Sequence, residues 1–206
     1  PESTAEVQQI VRLLHRHGVP FVARGAGTCL SGGPTPMQPA VVVELARMDR
    51  VLAIEPEDLL AVVQPGVVNL DLTAATAHLG LHYAPDPSSQ SVCTIGGNVA
   101  ENSGGPHCFK YGMTVDHVLA ATVVLPDGEL AHLGGAAGAR PPHGLDLLGL
   151  FCGSEGTFGI ATEITVRLCA DPAAVRTLLA SFAAMRPACA AVSDIVGSGL
   201  RPAALE

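Results

Sequence analysis

Three short stretches concentrate glycine among Ser, Thr and Asn. The first is Arg24-Gly25-Ala26-Gly27-Thr28-Cys29, running into Leu30-Ser31-Gly32-Gly33. The second is Thr94-Ile95-Gly96-Gly97-Asn98-Val99-Ala100-Glu101-Asn102-Ser103-Gly104-Gly105, and the third is Gly153-Ser154-Glu155-Gly156-Thr157-Phe158-Gly159. A segment without side chains exposes successive backbone N–H groups, which make an anion-binding concavity suited to a diphosphate. Two phosphate cradles are excluded by spelling. A Walker A loop needs Gly-Lys-Ser/Thr, and 25–33 holds no Lys; a dinucleotide fingerprint needs G-x-G-x-x-G, and Leu30 stands where the third small residue should be. One such stretch alone reads as a tight turn. Three of them, with hydroxyl and amide side chains interleaved, weaken that reading, because those side chains add donors a turn does not need.

The remaining reactive side chains are scattered. Cys29, Cys93, Cys108, Cys152, Cys169 and Cys189 contain no C-x-x-C and match no zinc or iron–sulfur spacing, so they read as buried, reduced thiols of a cytosolic protein. Cys108 in particular reads as a buried thiol. His15 and His17, two apart, diverge by ~200° on a helix and read as a solvated C-terminal pair. His78 and His82 have H-x-x-x-H spacing, but Gly80 interrupts the helix between them. No metal site is expected.

Several elements must position these stretches. Residues 3–17 predict an amphipathic helix, with Ser3 and Glu6 as a capping box, Val7, Ile10, Val11 and Leu14 on one face, and Gly18 ending it. Strands are expected at 20–23, 41–45, 51–54, 60–64 and 160–168, with a hairpin of 118–125 and 129–133 turning at Pro126-Asp127-Gly128. Asn69 is placed to cap a helix over 70–79 that stops at Gly80, and 145–150 predicts a short helix. Residues 134–144 read as a mobile Gly/Ala/Pro-rich loop. After Asp171-Pro172 the composition turns Ala-rich, and Pro187 is placed to open a helix reaching about Val196.

Composition bounds the rest. The 206 residues are 48% apolar with a mean hydropathy of +0.38, enough for a sizeable core. Aromatics are only 3% and Trp is absent, so that core is built from Ala, Val, Leu and Ile. The formal charge of −8 argues against nucleic acid and anionic membranes as partners. No apolar run approaches the ~20 residues of a membrane span. The chain opens on Pro1 with no signal peptide in view, so its N-terminus is expected to be processed or cut.

Four segments together are familiar: PFVARGAGTCLSGG at 20–33, APDPSSQSVCTIGGNVAENSGGPHCFKYG at 84–112, VLAATVVLPDG at 118–128 and GSEGTFGIATEITVRL at 153–168. In spelling and order the chain resembles the PCMH-type FAD-binding domain of the vanillyl-alcohol-oxidase superfamily. The likeness is greatest to its FAD-linked 2-hydroxy-acid oxidoreductases, the group of the glycolate oxidase FAD subunit and D-lactate dehydrogenase. The resemblance implies an α+β fold of two α/β subdomains, 1–50 and a larger mixed-sheet unit at 51–170, with FAD between them. Residues 171–206 would then begin a C-terminal substrate domain.

It also implies roles. Gly25, Ala26, Gly27, Thr28 and Cys29 should donate N–H groups to the FAD diphosphate, with Arg24 and Ser31 also at the cofactor. Pro85, Asp86 and Ser88 should border the ring system. Thr94, Gly96, Gly97, Asn98, Asn102, Ser103 and Gly104 should line the diphosphate and isoalloxazine. Glu155, Gly156, Gly159 and Ile160 should hold the adenine–ribose side and the flavin edge. Thr28 stands where some members carry a covalent His, so FAD should bind non-covalently. Cys29 stands where the family usually has Gly, and is strained if that position demands a positive φ. His107 and Tyr111 either face the flavin or substrate, Tyr111 then touching the cofactor, or make structural hydrogen bonds.

The implied reaction is oxidation of a 2-hydroxy acid to a 2-oxo acid, with electrons leaving to a partner such as a protein subunit. The compartment would be cytoplasmic, or peripheral to a membrane through that partner. A non-catalytic FAD-binding subunit and a same-superfamily enzyme with another substrate are the alternatives. The metal-binding histidines, substrate-gripping arginine and general base would lie mainly in the C-terminal domain.

Overall fold

The computed structural model describes residues 1–36, 38–135 and 144–205. Most of the 134–144 loop therefore falls outside the described residues. The fold is α+β. Helix α1 (Thr4–Arg16) starts at Ser3, whose hydroxyl accepts from Glu6 N at 3.3 Å. The box is half made, because the Glu6 carboxylate accepts instead from Glu2 N. Strands β1 (Phe21–Arg24) and β2 (Val41–Glu44) pair in parallel, and the first glycine stretch leaves the C-terminal end of β1.

A five-stranded sheet follows, in the order β3 (Val51–Glu55), β4 (Leu60–Val63), β8 (Ile160–Arg167), β6 (Val118–Val124), β7 (Leu130–Gly134). It is antiparallel at every pairing rather than mixed, because its neighbours meet through hairpins or long returns rather than through parallel crossovers. On β8 the alternation holds through its end: Ile164 and Val166, with Leu168 just beyond, are buried. One face packs against α2 (Asn69–Thr76) and α3 (Ile95–Glu101) around Leu72, Ile95 and Val99. A second cluster joins Val7, Val11 and Leu14 of α1 to Val43, Leu45, Met48, Val124 and Ile160, so the first fifty residues dock on the ends of β6 and β8.

The second glycine stretch is a helix over most of its length, not a loop. Thr94 caps α3, its Oγ1 accepting from Gly97 N at 3.3 Å, and Gly96 lets the helix lie on Pro65, whose Cβ would stand 2.6 Å from a Cβ at 96. Asn69 is not a cap. It is the first residue of α2, and its Nδ2 donates to Pro85 O at 2.8 Å, pinning the 85–89 segment. The helix over 70–79 ends as a 3-10 turn at Ala77–Leu79, stopped by Gly80 in the left-handed region. Short helices α4 (Cys108–Tyr111) and α5 (Thr114–His117) follow α3. Helix α6 (Leu147–Phe151) begins behind Asp146, which caps Gly149 N.

Strand β5 (Leu81–His82) pairs with a two-residue β9 (Cys169–Ala170), and His82 Nδ1 meets Asp171 Oδ1 at 2.8 Å instead of His78. Helix α7 (Met185–Gly197) starts two residues before Pro187, which sits in a first turn where a missing N–H leaves no bond unmade; none of its residues is buried.

Candidate functional site

A cavity of about 500 Å³ runs between the first fifty residues and the sheet unit. All three glycine stretches face it. The first supplies Arg24, Gly25, Ala26, Gly27, Thr28, Cys29 and Ser31; the second Thr94, Gly96, Gly97, Asn98, Ser103 and Gly104; the third Glu155, Gly156, Gly159 and Ile160; and Ser88 also lines it. The stretches touch: a Cβ at Gly25 would stand 2.5 Å from Thr94 Oγ1.

The stretches do different work. Among the described residues none accepts a hydrogen bond from the amides of Gly25, Ala26, Gly27, Thr28 or Cys29. Gly25, Ala26 and Cys29 are half-buried and Gly27 and Thr28 exposed, so the five consecutive free N–H groups are open to an external acceptor. The start of α3 is the opposite case. Ile95 N donates to Val67 O and Gly96 N to Pro65 O, both at 2.8 Å, while Gly97 N is held by its cap. Gly96 and Gly97 thus form a wall, not a donor row. Further along, the amides of Gly104 and Gly156 are unpaired among the described residues. Cys29 is not among the non-glycine residues of positive φ, so the condition for strain there is not met; Asn102 (φ 49°) and Glu155 (φ 52°) do occupy that region.

Four expected contacts stand outside the lining. Asn102 ends α3, and its Oδ1 accepts from Val115 N at 2.9 Å. Pro85 carries the carbonyl that Asn69 holds. Asp86 Oδ2 accepts from His107 Nδ1 at 2.5 Å. Tyr111 lies edge-on to His82 with Lys110 Nζ 4.8 Å from its ring centroid, and its carbonyl meets His117 Nε2 at 2.8 Å. The lining also includes residues the motifs did not single out, among them Pro65, Pro87, Ser89, Glu101, Phe151 and Ser154. Ser154 and Glu101 sit inside the glycine-rich stretches, and that position was the only signal for them.

Electrostatically the cavity relies on the main chain. No lysine lines it among the described residues, and its one arginine, Arg24, is drawn to Glu44 at 3.5 Å. Burial pushes the lining Cys93 thiol up, and burial with the nearby Asp146 charge pushes Cys152 of the core to about 11, which disfavours the thiolate at both. Of the six thiols only Cys93 and Cys152 are buried; Cys29, Cys108 and Cys169 are half-buried and Cys189, on α7, is exposed, and Cys108 Sγ accepts from Gly105 N.

Two polar side chains on the wall are buried without any partner: both amide atoms of Asn98 and the hydroxyl of Ser154. A free amide row for a diphosphate, orphaned polar groups beside it and an apolar wall from Leu45, Phe151 and Ala161 fit FAD. Asn98 yields a direct expectation. An apolar residue in place of an unsatisfied buried amide is neutral or stabilising to the empty fold. Asn98→Leu should therefore leave the melting temperature of the apo-protein unchanged or raise it by about 2–4 °C. It should also weaken FAD binding about tenfold. Unchanged FAD affinity would remove Asn98 from the site.

Fold and site together define a domain whose cavity, walled by glycine-rich segments, suits a dinucleotide cofactor. A family model described as an FAD binding domain matches residues 1–134, and the chain belongs to that family. It is 50% identical over 206 residues to the glycolate oxidase subunit GlcD of Escherichia coli (strain K12), covering 100% of this chain and 41% of that protein. It is 45% identical to the GlcD of Bacillus subtilis (strain 168), covering 100% and 44%. It is 39% identical to a D-lactate dehydrogenase of Anaerostipes hadrus, covering 99% and 42%. An alkyldihydroxyacetonephosphate synthase structure superposes with a TM-score of 0.73 at 30% identity, over 84% of this chain and 34% of that one. The chain is thus an FAD-binding domain of the glycolate oxidase and D-lactate dehydrogenase type, and it spans about two fifths of the length of these relatives.

Proposed function

We propose that this chain is the FAD-holding part of an oxidoreductase that converts a 2-hydroxy acid of the glycolate or D-lactate class to its 2-oxo acid. The observation that carries the reading is the row of unpaired amides from Gly25 to Cys29 facing α3 across one cavity. Those amides bind the diphosphate non-covalently, with charge neutralised by oriented N–H dipoles rather than by a lysine. Thr94, Gly96 and Gly97 fix the opposite wall, and Asn98, Ser154 and Ser88 offer polar groups to the rest of the cofactor. Bound there, FAD would supply a two-electron acceptor for oxidation of the hydroxy acid.

In this reading residues 1–50 and 51–170 are the two halves of the cofactor domain, and 171–206 lead into the substrate domain. The exposed 171–187 segment and the unburied α7 support that division. Electrons then pass to a partner protein. Among the described residues no helix is long and apolar enough to cross a membrane.

The test is anaerobic. The intact polypeptide carrying this chain should purify yellow or take up FAD on reconstitution, and glycolate or D-lactate should bleach it. Absence of flavin after reconstitution with excess FAD defeats the reading outright; flavin that no 2-hydroxy acid reduces defeats the substrate class.

A further inference from the structure

Beside the row of free amides, two carboxylates line the same cavity. A Cβ at Gly33 would stand 3.7 Å from Glu101 Oε1 and 3.7 Å from Glu155 Oε2, so both side chains reach the same side of one glycine. Ser31 Oγ donates to Glu101 Oε2 at 3.1 Å, which leaves Oε1 turned toward Gly33. Among the described residues neither carboxylate has an ion-pair partner, and that of Glu155 accepts no hydrogen bond.

Both placements work against the fold. Glu101 is the last residue of α3, where the helix dipole disfavours an anion. Glu155 stands at φ 52°, a strained conformation for a residue with a side chain. A second observation points to a ligand. Asn98, three residues before Glu101 and so on its face of α3, is 1% exposed and lines the cavity with both amide atoms unpartnered. Buried side-chain amides are nearly always hydrogen-bonded, so this one calls for a partner from outside the chain.

The acids say what kind of ligand. A carboxylate only accepts, and two together repel an anion and favour donors. Among the described residues no group of three His, Cys, Asp or Glu side chains converges to hold a metal. On a nucleotide whose diphosphate lies at 25–29, the neighbouring donors are sugar hydroxyls, and adenosine offers two on adjacent carbons. The flavin ring is the wrong neighbour for the acids, since they would oppose the negative charge a flavin gains on reduction.

We propose that Glu101 and Glu155 accept hydrogen bonds from the ribose diol of the cofactor's adenosine, and that Glu101 makes the site refuse a nucleotide phosphorylated there. The inference rests on the functional reading above and deepens it: amides select the diphosphate, and carboxylates select an unmodified ribose beside it. Ser31 is the positioning residue, holding one oxygen of Glu101 so that the other faces the sugar.

The test compares three ligands on the intact polypeptide freed of flavin: FAD, FAD built on 2′,3′-dideoxyadenosine, and FAD with a phosphate on the adenosine 2′ oxygen. Quenching of flavin fluorescence reads each dissociation constant. The parent should bind the dideoxy form about tenfold or more weaker than FAD, the scale of a charge-assisted bond, and the phosphorylated form at least about a hundredfold weaker. Glu101→Gln keeps the shape and the Ser31 contact but removes the charge. It should bring the phosphorylated form about tenfold closer to FAD and narrow the dideoxy gap by about threefold. Glu155→Gln, outside any helix, is the second variant and should shift both ratios the same way.

Equal weakening of all three ligands in both variants marks a structural role and overturns the proposal. So does FAD affinity that rises with added Mg²⁺ in the parent but not in Glu101→Gln, which would make the pair a cation site. A parent that takes up none of the three ligands sinks the functional reading and this inference with it. A parent that binds FAD and is indifferent to both changes in the sugar sinks this inference alone.

Discussion

Gly25→Val is expected to weaken FAD binding at least about a hundredfold, some 3 kcal/mol, while the protein stays folded. The new Cβ would sit 2.5 Å from Thr94 Oγ1 and 3.9 Å from Gly97 N, in the gap where the first stretch approaches the cap of α3. Either Thr94 swings away and the helix loses its cap, at about 1 kcal/mol, or the 25–29 segment lifts off the wall. Both responses spoil the convergence of the free amides, and valine's branches add bulk where the diphosphate must lie. The fold itself has less at stake, since none of those amides bonds to the protein among the described residues. Gly18→Ala is the matched control. It also replaces a glycine, at φ 61°, but opens onto empty space far along α1, so it should cost about 1 kcal/mol of backbone strain and leave FAD affinity unchanged. Calorimetric titration of both variants decides the matter. A Gly25→Val protein that binds FAD within about threefold of the parent would mean that the amide row is not the diphosphate site.

How far the amino-acid sequence discloses this arrangement differs from element to element. Helix α1, the β6–β7 hairpin and β8 follow from periodicity and turn chemistry, because each buries one face on a regular repeat. Helix α3 does not. Two adjacent glycines argue against a helix by about 1 kcal/mol each, and the reason for Gly96 is its contact with Pro65, which is distant in sequence. The same holds for Asn69: its residue type suits a cap, but the carbonyl of Pro85 claims it, and no local pattern announces that. Strand β9 is two residues long and exists only because β5 lies beside it.

The cavity shows a similar split. Its glycine-rich walls are legible because they are unusual in composition. The division of labour between them is not, since it depends on which amides the tertiary structure has already paired. The Asp86–His107 pair lies between these cases: both residues fall in the recognisable 84–112 segment, but their bond depends on the close packing of Gly105 against Asp86.

Gly66→Ala should be strongly destabilising, and it should weaken FAD binding by a different route from Gly25→Val. Its Cβ would stand 2.4 Å from Leu45 O and 2.8 Å from Met48 O. Both are backbone atoms, so neither can rotate aside. The same residue donates its N–H to Met48 O at 2.7 Å, and Gln64 N donates to Arg50 O nearby. These bonds tie the segment after β4 to the end of the first fifty residues, where Leu45 and Met48 belong to the cluster that docks α1 on the sheet. Overpacking against fixed backbone costs about 3 kcal/mol, which for a chain of this length is a fall of ~6–12 °C in melting temperature. Leu45 and Pro65 both line the cavity, so the displaced junction widens the space between its two walls. Saturating FAD should then recover only part of the lost stability in Gly66→Ala, because ligand binding stabilises in proportion to an affinity that has itself fallen. Thermal melts of both variants, with and without FAD, distinguish the two lesions. Gly25→Val should melt close to the parent in its apo form and gain little from FAD; Gly66→Ala should melt far below it in both conditions. A Gly66→Ala protein within about 2 °C of the parent would show that the 64–66 junction does not hold the cavity's two walls in register.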